Sequence, residues 1–158
     1  AEGAKIVCAD LVEERAQAMK KKFGAKIVAP EEIFSVPCDI FAPCALGPAL
    51  NGKTLNELQA SIVCGAANNQ LASMELGEKL QAQGVLYAPD FLVNAGGLIA
   101  VSAELVVSGK PFDRQEVLQK INAIGERMAE LLRFSEESML SSAMAATVLA
   151  EQRLEARP

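Results

Sequence analysis

The chain contains no histidine, so imidazole acid–base catalysis and His-ligated metal sites are excluded within it. Four groups of polar or compact residues stand where apolar runs end. The first is Asn68-Asn69 in "GAANNQL" (65–71), directly after "ASIVCG" (60–65). Asparagine is a leading helix N-cap, and capping accounts for one of the two amides but not for both. A side-chain amide carries two donors and an acceptor, which suits a carboxamide or a carboxylate. The second is Asp10, which closes "AKIVCAD" (4–10). It is either the carboxylate that takes ribose hydroxyls in dinucleotide folds or an acid favoured by the dipole of a following helix. Leu11 and Val12 follow it rather than arginine, so a 2′-phosphate would meet an uncompensated negative charge and NAD is expected over NADP. The third is Pro43-Cys44-Ala45-Leu46-Gly47, small residues that let backbone approach a flat ligand or simply make a turn. The fourth is Asn94 with Gly96-Gly97, an amide beside two residues without bulk, or a helix kink.

The elements that must position these groups alternate in type. Apolar runs at 4–10, 25–29, 38–45, 60–65 and 85–89 predict strands. Between them, 11–24 predicts a helix with Val12, Ala16, Met19 and Phe23 on its apolar face and Gly24 as its stop. Residues 30–37 predict one helical turn, 46–58 a loop with a short helix from near Thr54, and 68–84 a helix ended by Gly84. Beyond Pro89 the pattern is helical. Residues 90–109 predict a largely buried helix interrupted near Gly96-Gly97, 114–137 a long amphipathic helix capped by Asp113, and 138–158 a final helix opened by Ser138 or a nearby serine. Strands alternating with helices indicate βαβ units and a parallel sheet, and ligands in such sheets sit beyond the carboxyl ends of the strands, where all four groups lie.

Composition limits the partners. Fifteen basic residues against 20 acidic ones, with no basic block longer than Lys20-Lys21-Lys22, give no footprint for nucleic acid. No apolar run approaches the ~20 residues of a membrane span, and the first residues do not have the layout of a signal peptide. Cys8, Cys38, Cys44 and Cys64 form no C-x-x-C pair. They are expected as reduced, mostly buried thiols of a cytoplasmic protein.

The segments "DIFAPCALG" (39–47), "GAANNQL" (65–71) and "YAPDFLVNAGG" (87–97), in this order and spacing, resemble the cofactor-binding half of the amino-acid dehydrogenases that act on leucine, valine and phenylalanine, relatives of glutamate dehydrogenase. The resemblance runs from about residue 4 to about residue 105. It implies an α/β, Rossmann-like, doubly wound and mainly parallel sheet with C-terminal helices, divided into a cofactor-binding domain (1–110) and a helical segment packed on it (111–158). It also implies reversible oxidative deamination of an apolar L-amino acid to its 2-oxo acid and ammonia, with NAD as cofactor. Carried over by residue, Asp10, Ala45, Leu46, Asn68 and Asn94 are expected at the cofactor, and Asn69, Leu98 and Val101 at the substrate.

The resemblance places the glycine-rich turn, the first strand and the catalytic lysines and aspartate before this segment. No catalytic residue is therefore expected within it, and Lys5, Lys26 and Lys53 take no such role. The absent strand is expected between the strands 4–9 and 60–64, leaving two apolar edges unpaired. The chain alone is then expected to be inactive, its missing strand and substrate domain coming from the same parent or another chain, in a homo-oligomer. The alternative is a non-catalytic dinucleotide-type module used for oligomerisation or ligand sensing.

Overall fold

The computed structural model describes residues 3–104 and 112–156. The end of the helix expected over 90–109, the break at Pro111 and the boundary between 110 and 111 lie outside the described residues.

Two parallel sheets form. In the first, β1 (Val7–Cys8) pairs with β2 (Lys26–Ile27). Helix α1 (Glu13–Phe23) connects them, with Glu13 and Glu14 in its first turn and Lys20 to Lys22 in its last, each sign placed favourably against the dipole. Gly24 ends it at φ 69°, a left-handed conformation that costs glycine little. Of the apolar face expected on α1, Ala16 alone is buried, while Val12, Met19 and Phe23 face solvent.

In the second sheet, the order is β3 (Cys38–Phe41), β4 (Ala60–Val63), β5 (Leu86–Tyr87), all parallel. Phe41 aligns with Val63 and Val63 with Tyr87. These three inward residues meet Leu50, Leu55, Leu76, Leu80 and Ala143 in the main core. The expectation that strand 60–64 borders a missing neighbour is overturned, because β4 has a partner on both sides. Among the described residues β1, β2, β3 and β5 each keep one edge without a partner, and Ile40 on β3 is exposed. Nor are the cysteines mostly buried. Cys8, Cys38 and Cys64 are half-buried and Cys44 is exposed, since Cys8 and Cys38 lie on these open-edged strands and Cys44 in the loop beyond β3. Burial, with Asp39 beside it, pushes the Cys38 thiol above its ordinary pKa.

The short helices follow their caps. The turn at Ile33–Ser35 is 3-10. Helix α2 (Gly52–Glu57) carries a reciprocal cap in which the Asn51 side chain accepts from the Lys53 and Thr54 amides and the Thr54 hydroxyl accepts from the Asn51 amide. Helix α3 is shorter than the expected 68–84, running Glu75–Ala82. Residues before it are held as loop, because the Gln70 carbonyl accepts from the Leu50 amide and the Ala72 amide donates back to the Leu50 carbonyl.

The helix expected over 90–109 is two helices, α4 (Asp90–Val93) and α5 (Gly96–Glu104), broken at Asn94-Ala95 rather than at the glycines. It is not largely buried, and no residue of α5 is. The helix expected over 114–137 is likewise split at Ala123, into α6 (Arg114–Asn122) and α7 (Ile124–Ser138), with Asp113 capping α6 as predicted. Met139, at φ 58°, ends α7, and Ser141 caps α8 (Ser142–Glu155). Helix α8 is tied to the sheet where the Ser142 hydroxyl donates to the Tyr87 carbonyl at 2.6 Å. It lies so close to α3 that a Cβ on Gly77 would stand 2.9 Å from the Ala143 Cβ.

Candidate functional site

The carboxyl ends of β3, β4 and β5 are knitted together by backbone. The ladder continues past the strands as the Cys64 amide donates to the Phe41 carbonyl at 3.0 Å and the Ala88 amide to the Val63 carbonyl at 2.8 Å. The Ala67 amide then donates to the Pro43 carbonyl at 2.9 Å. Gly65 fits this crossing because a Cβ there would be 2.2 Å from the Pro43 carbonyl oxygen, well inside contact. The loop is filled from within by Gln70, fully buried, whose Nε2 donates to the Gly65 and Ala67 carbonyls at 2.8 and 2.9 Å. Its Oε1 has no partner among the described residues.

Neither asparagine caps a helix. Asn68 joins Asn94, whose Nδ2 donates to Asn68 Oδ1 at 2.6 Å and to the Ala66 and Ala67 carbonyls at 3.4 and 3.2 Å. With the Asn94 donors spent on these acceptors, its Oδ1 is the group left for a ligand. With its oxygen taken, Asn68 keeps its amide NH₂. The pair therefore offers one acceptor and one donor side by side. Asn69 adopts φ 54°, uncommon for a residue with a side chain but tolerated by asparagine.

Asn69 is held by Asp90, a residue the sequence motifs contained without assigning it a role. Asp90 is 9% exposed. One carboxylate oxygen accepts from the Asn69 amide at 2.6 Å and the other from the Tyr87 hydroxyl at 2.8 Å. Burial, and then the bond to Asp90, push the Tyr87 phenol above its ordinary pKa. The available signal was the Y-x-x-D spacing of "YAPD" (87–90), which carries a donor at a strand end to an acceptor opening the next helix.

The remaining expected residues stand apart from this cluster. Ala45 and Leu46 are exposed in the loop after β3, with the Leu46 side chain wholly free of protein contact. Leu98 and Val101 are three residues apart on α5, hence on one face, and are 73% and 49% exposed. Asp10 lies beyond β1, exposed, and accepts from the Val12 amide at 2.9 Å through Oδ1. Its Oδ2 has no hydrogen-bond partner among the described residues, and it shares no bond with the asparagines.

Residues 4–157 match the family described as glutamate/leucine/phenylalanine/valine dehydrogenase. The chain is 38% identical to leucine dehydrogenase of Thermoactinomyces intermedius over 98% of its own length and 41% of that enzyme's. It is also 38% identical to L-tryptophan dehydrogenase of Nostoc punctiforme in its crystal structure, superposing with a TM-score of 0.89 over 97% of this chain and 46% of that one. A hetero-hexameric glutamate dehydrogenase of Thermus thermophilus, 24% identical, shares the fold at a TM-score of 0.68, over 96% of this chain and 46% of that one. The chain thus spans about two-fifths of the length of the curated relatives it matches. Matched along nearly all of its sequence, it belongs to the glutamate/leucine/phenylalanine/valine dehydrogenase family.

Proposed function

We propose that the chain is the cofactor-binding part of an NAD-dependent amino-acid dehydrogenase that converts an apolar L-amino acid to its 2-oxo acid and ammonia. The observation that carries this reading is the Asn68–Asn94 pair beyond the strands, bonded so that the Asn94 Oδ1 and the Asn68 amide NH₂ are left without a partner among the described residues. A nicotinamide carboxamide presents the complementary donor and acceptor. Leu46 supports the same fit, since an unshielded apolar side chain beside Ala45 gives a flat ring something to lie against. Asp10 keeps one oxygen free for a ribose hydroxyl, and the exposed Leu11 and Val12 beside it supply no charge for a 2′-phosphate.

NAD, when bound, accepts the α-hydride of the amino acid. The chain's own residues do the holding. Asn68 and Asn94 are the residues that would hold the carboxamide and keep the ring in place. Asn69 turns its amide toward the substrate carboxylate, while Leu98 and Val101 give the side-chain pocket an apolar wall that disfavours a carboxylate side chain. The oxidised substrate is then hydrolysed, releasing ammonia. We assign residues 1–110 to cofactor binding and 111–158 to helices that belong with it, in a cytoplasmic homo-oligomer with the amino acid and 2-oxo acid as its small-molecule partners. Exposed Phe91, Leu118 and Leu154 supply apolar surface for assembly.

The test is stoichiometry. The intact protein, given NAD and L-leucine, L-valine or L-phenylalanine, is expected to release one ammonia for each NAD reduced; NAD reduction without ammonia, or no reduction with any of the three, overturns the reading.

A further inference from the structure

We propose that Asp90 is a positioning residue that sets the aim of Asn69, and through it the grip on the substrate carboxylate, an inference that rests on the function proposed above. Asp90 opens α4, beyond β5, whereas Asn69 sits in the loop after β4. The 2.6 Å bond from the Asn69 amide to Asp90 Oδ2 joins these separate segments across 21 residues of sequence.

The bond also explains the backbone. A left-handed residue turns its side chain away from the direction an extended one would give it. At φ 54°, Asn69 needs something to hold it there, and a charge-assisted bond to its own amide does so without using its side chain. The Asn69 side chain makes no hydrogen bond to the described residues, so it is kept in readiness for a ligand. Asp90 is held in turn. Tyr87 donates to Oδ1 at 2.8 Å, and the Tyr87 backbone is fixed by the Ser142 hydroxyl of α8 at 2.6 Å. Each carboxylate oxygen thus already accepts from a protein donor and the group is buried, so its work is to orient rather than to touch substrate.

Two readouts on the intact protein test this. In D90A and D90L the segment 68–70 is expected to exchange its amide hydrogens about tenfold faster or more, because the Asn69 amide loses its acceptor. In the same variants KM for the amino acid is expected to rise about tenfold or more, with KM for NAD held within about twofold. D90N keeps an oxygen facing Asn69 and should recover most of both. Should D90A and D90L fail to fold, Y87F decides, since freeing one side of the carboxylate is expected to raise exchange at Asn69 several-fold. Unchanged exchange at 68–70 in the variants that fold overturns the proposal, as does an equal rise of both KM values. If the unmodified protein oxidises no amino acid, the proposed function fails, and the exchange measurement still decides whether Asp90 holds Asn69.

Discussion

Asn94 donates its side-chain amide to the side-chain oxygen of Asn68 at 2.6 Å, leaving the Asn94 oxygen and the Asn68 amide NH₂ without a partner among the described residues. Asn94→Asp replaces the donor with a carboxylate that would face the Asn68 oxygen and the Ala66 and Ala67 carbonyls. NAD affinity, read by titration calorimetry, is expected to fall about tenfold to a hundredfold. Asn68→Ala leaves Asn94 its two carbonyl partners and should cost less.

Gly65→Ala places a Cβ 2.2 Å from the Pro43 carbonyl oxygen, where rigid backbone rather than a flexible side chain must give way. A loss of roughly 2–4 kcal/mol is expected, in the range of overpacking at a constrained site. Chemical denaturation of the variant against the unmodified protein measures it.

Tyr87 carries a phenol whose pKa is raised by burial and by the bond to Asp90. A raised folded-state pKa means the neutral form stabilises the fold fully below the unfolded value, about 10, and that this contribution drains away as pH climbs through the folded value. The tyrosinate absorbance that Y87F removes should therefore be absent at pH 10 and emerge only at higher pH or with unfolding. Ordinary titration near pH 10 would contradict the buried hydrogen bond.

Asp10 uses one oxygen on the Val12 amide and leaves the other free. Asp10→Ala is expected to weaken NAD about tenfold while weakening NADP less, because the carboxylate that repels a 2′-phosphate is gone. The ratio of the two dissociation constants reads this directly.

Leu98 and Val101 share a face of α5 and are largely unshielded by the rest of the chain. Leu98→Ala should favour bulkier amino acids and Leu98→Phe smaller ones, by about tenfold in relative kcat/KM per large change of volume. Relative rates unmoved by either would remove these residues from the pocket.

The parallel α/β architecture was legible because β-branched runs such as "SIVC" (61–64) and "KIV" (26–28) alternate with helical spacing. The caps at Asp113 and Gly24 were legible in kind, since each is a local matter of a side chain or a φ angle, whereas α2, expected from near Thr54, starts at Gly52 behind an Asn51 cap. The loop 68–74 was misread as helix. Its conformation is imposed by Leu50, far away in sequence, and by a left-handed Asn69 that periodicity does not register. Asp90 was overlooked for a similar reason: its partners are an amide 21 residues upstream and a tyrosine across a strand end. The neighbours of strand 60–64 were also misassigned, because sheet order depends on which strands pair and a run of apolar residues reads alike at a centre or an edge.

The most direct measurement is the initial rate of NAD reduction by the intact protein with L-leucine, L-valine, L-phenylalanine and L-glutamate in turn. Turnover is expected with the apolar amino acids and little or none with glutamate. No NAD reduction with any apolar amino acid, or a preference for glutamate, would contradict the proposed function.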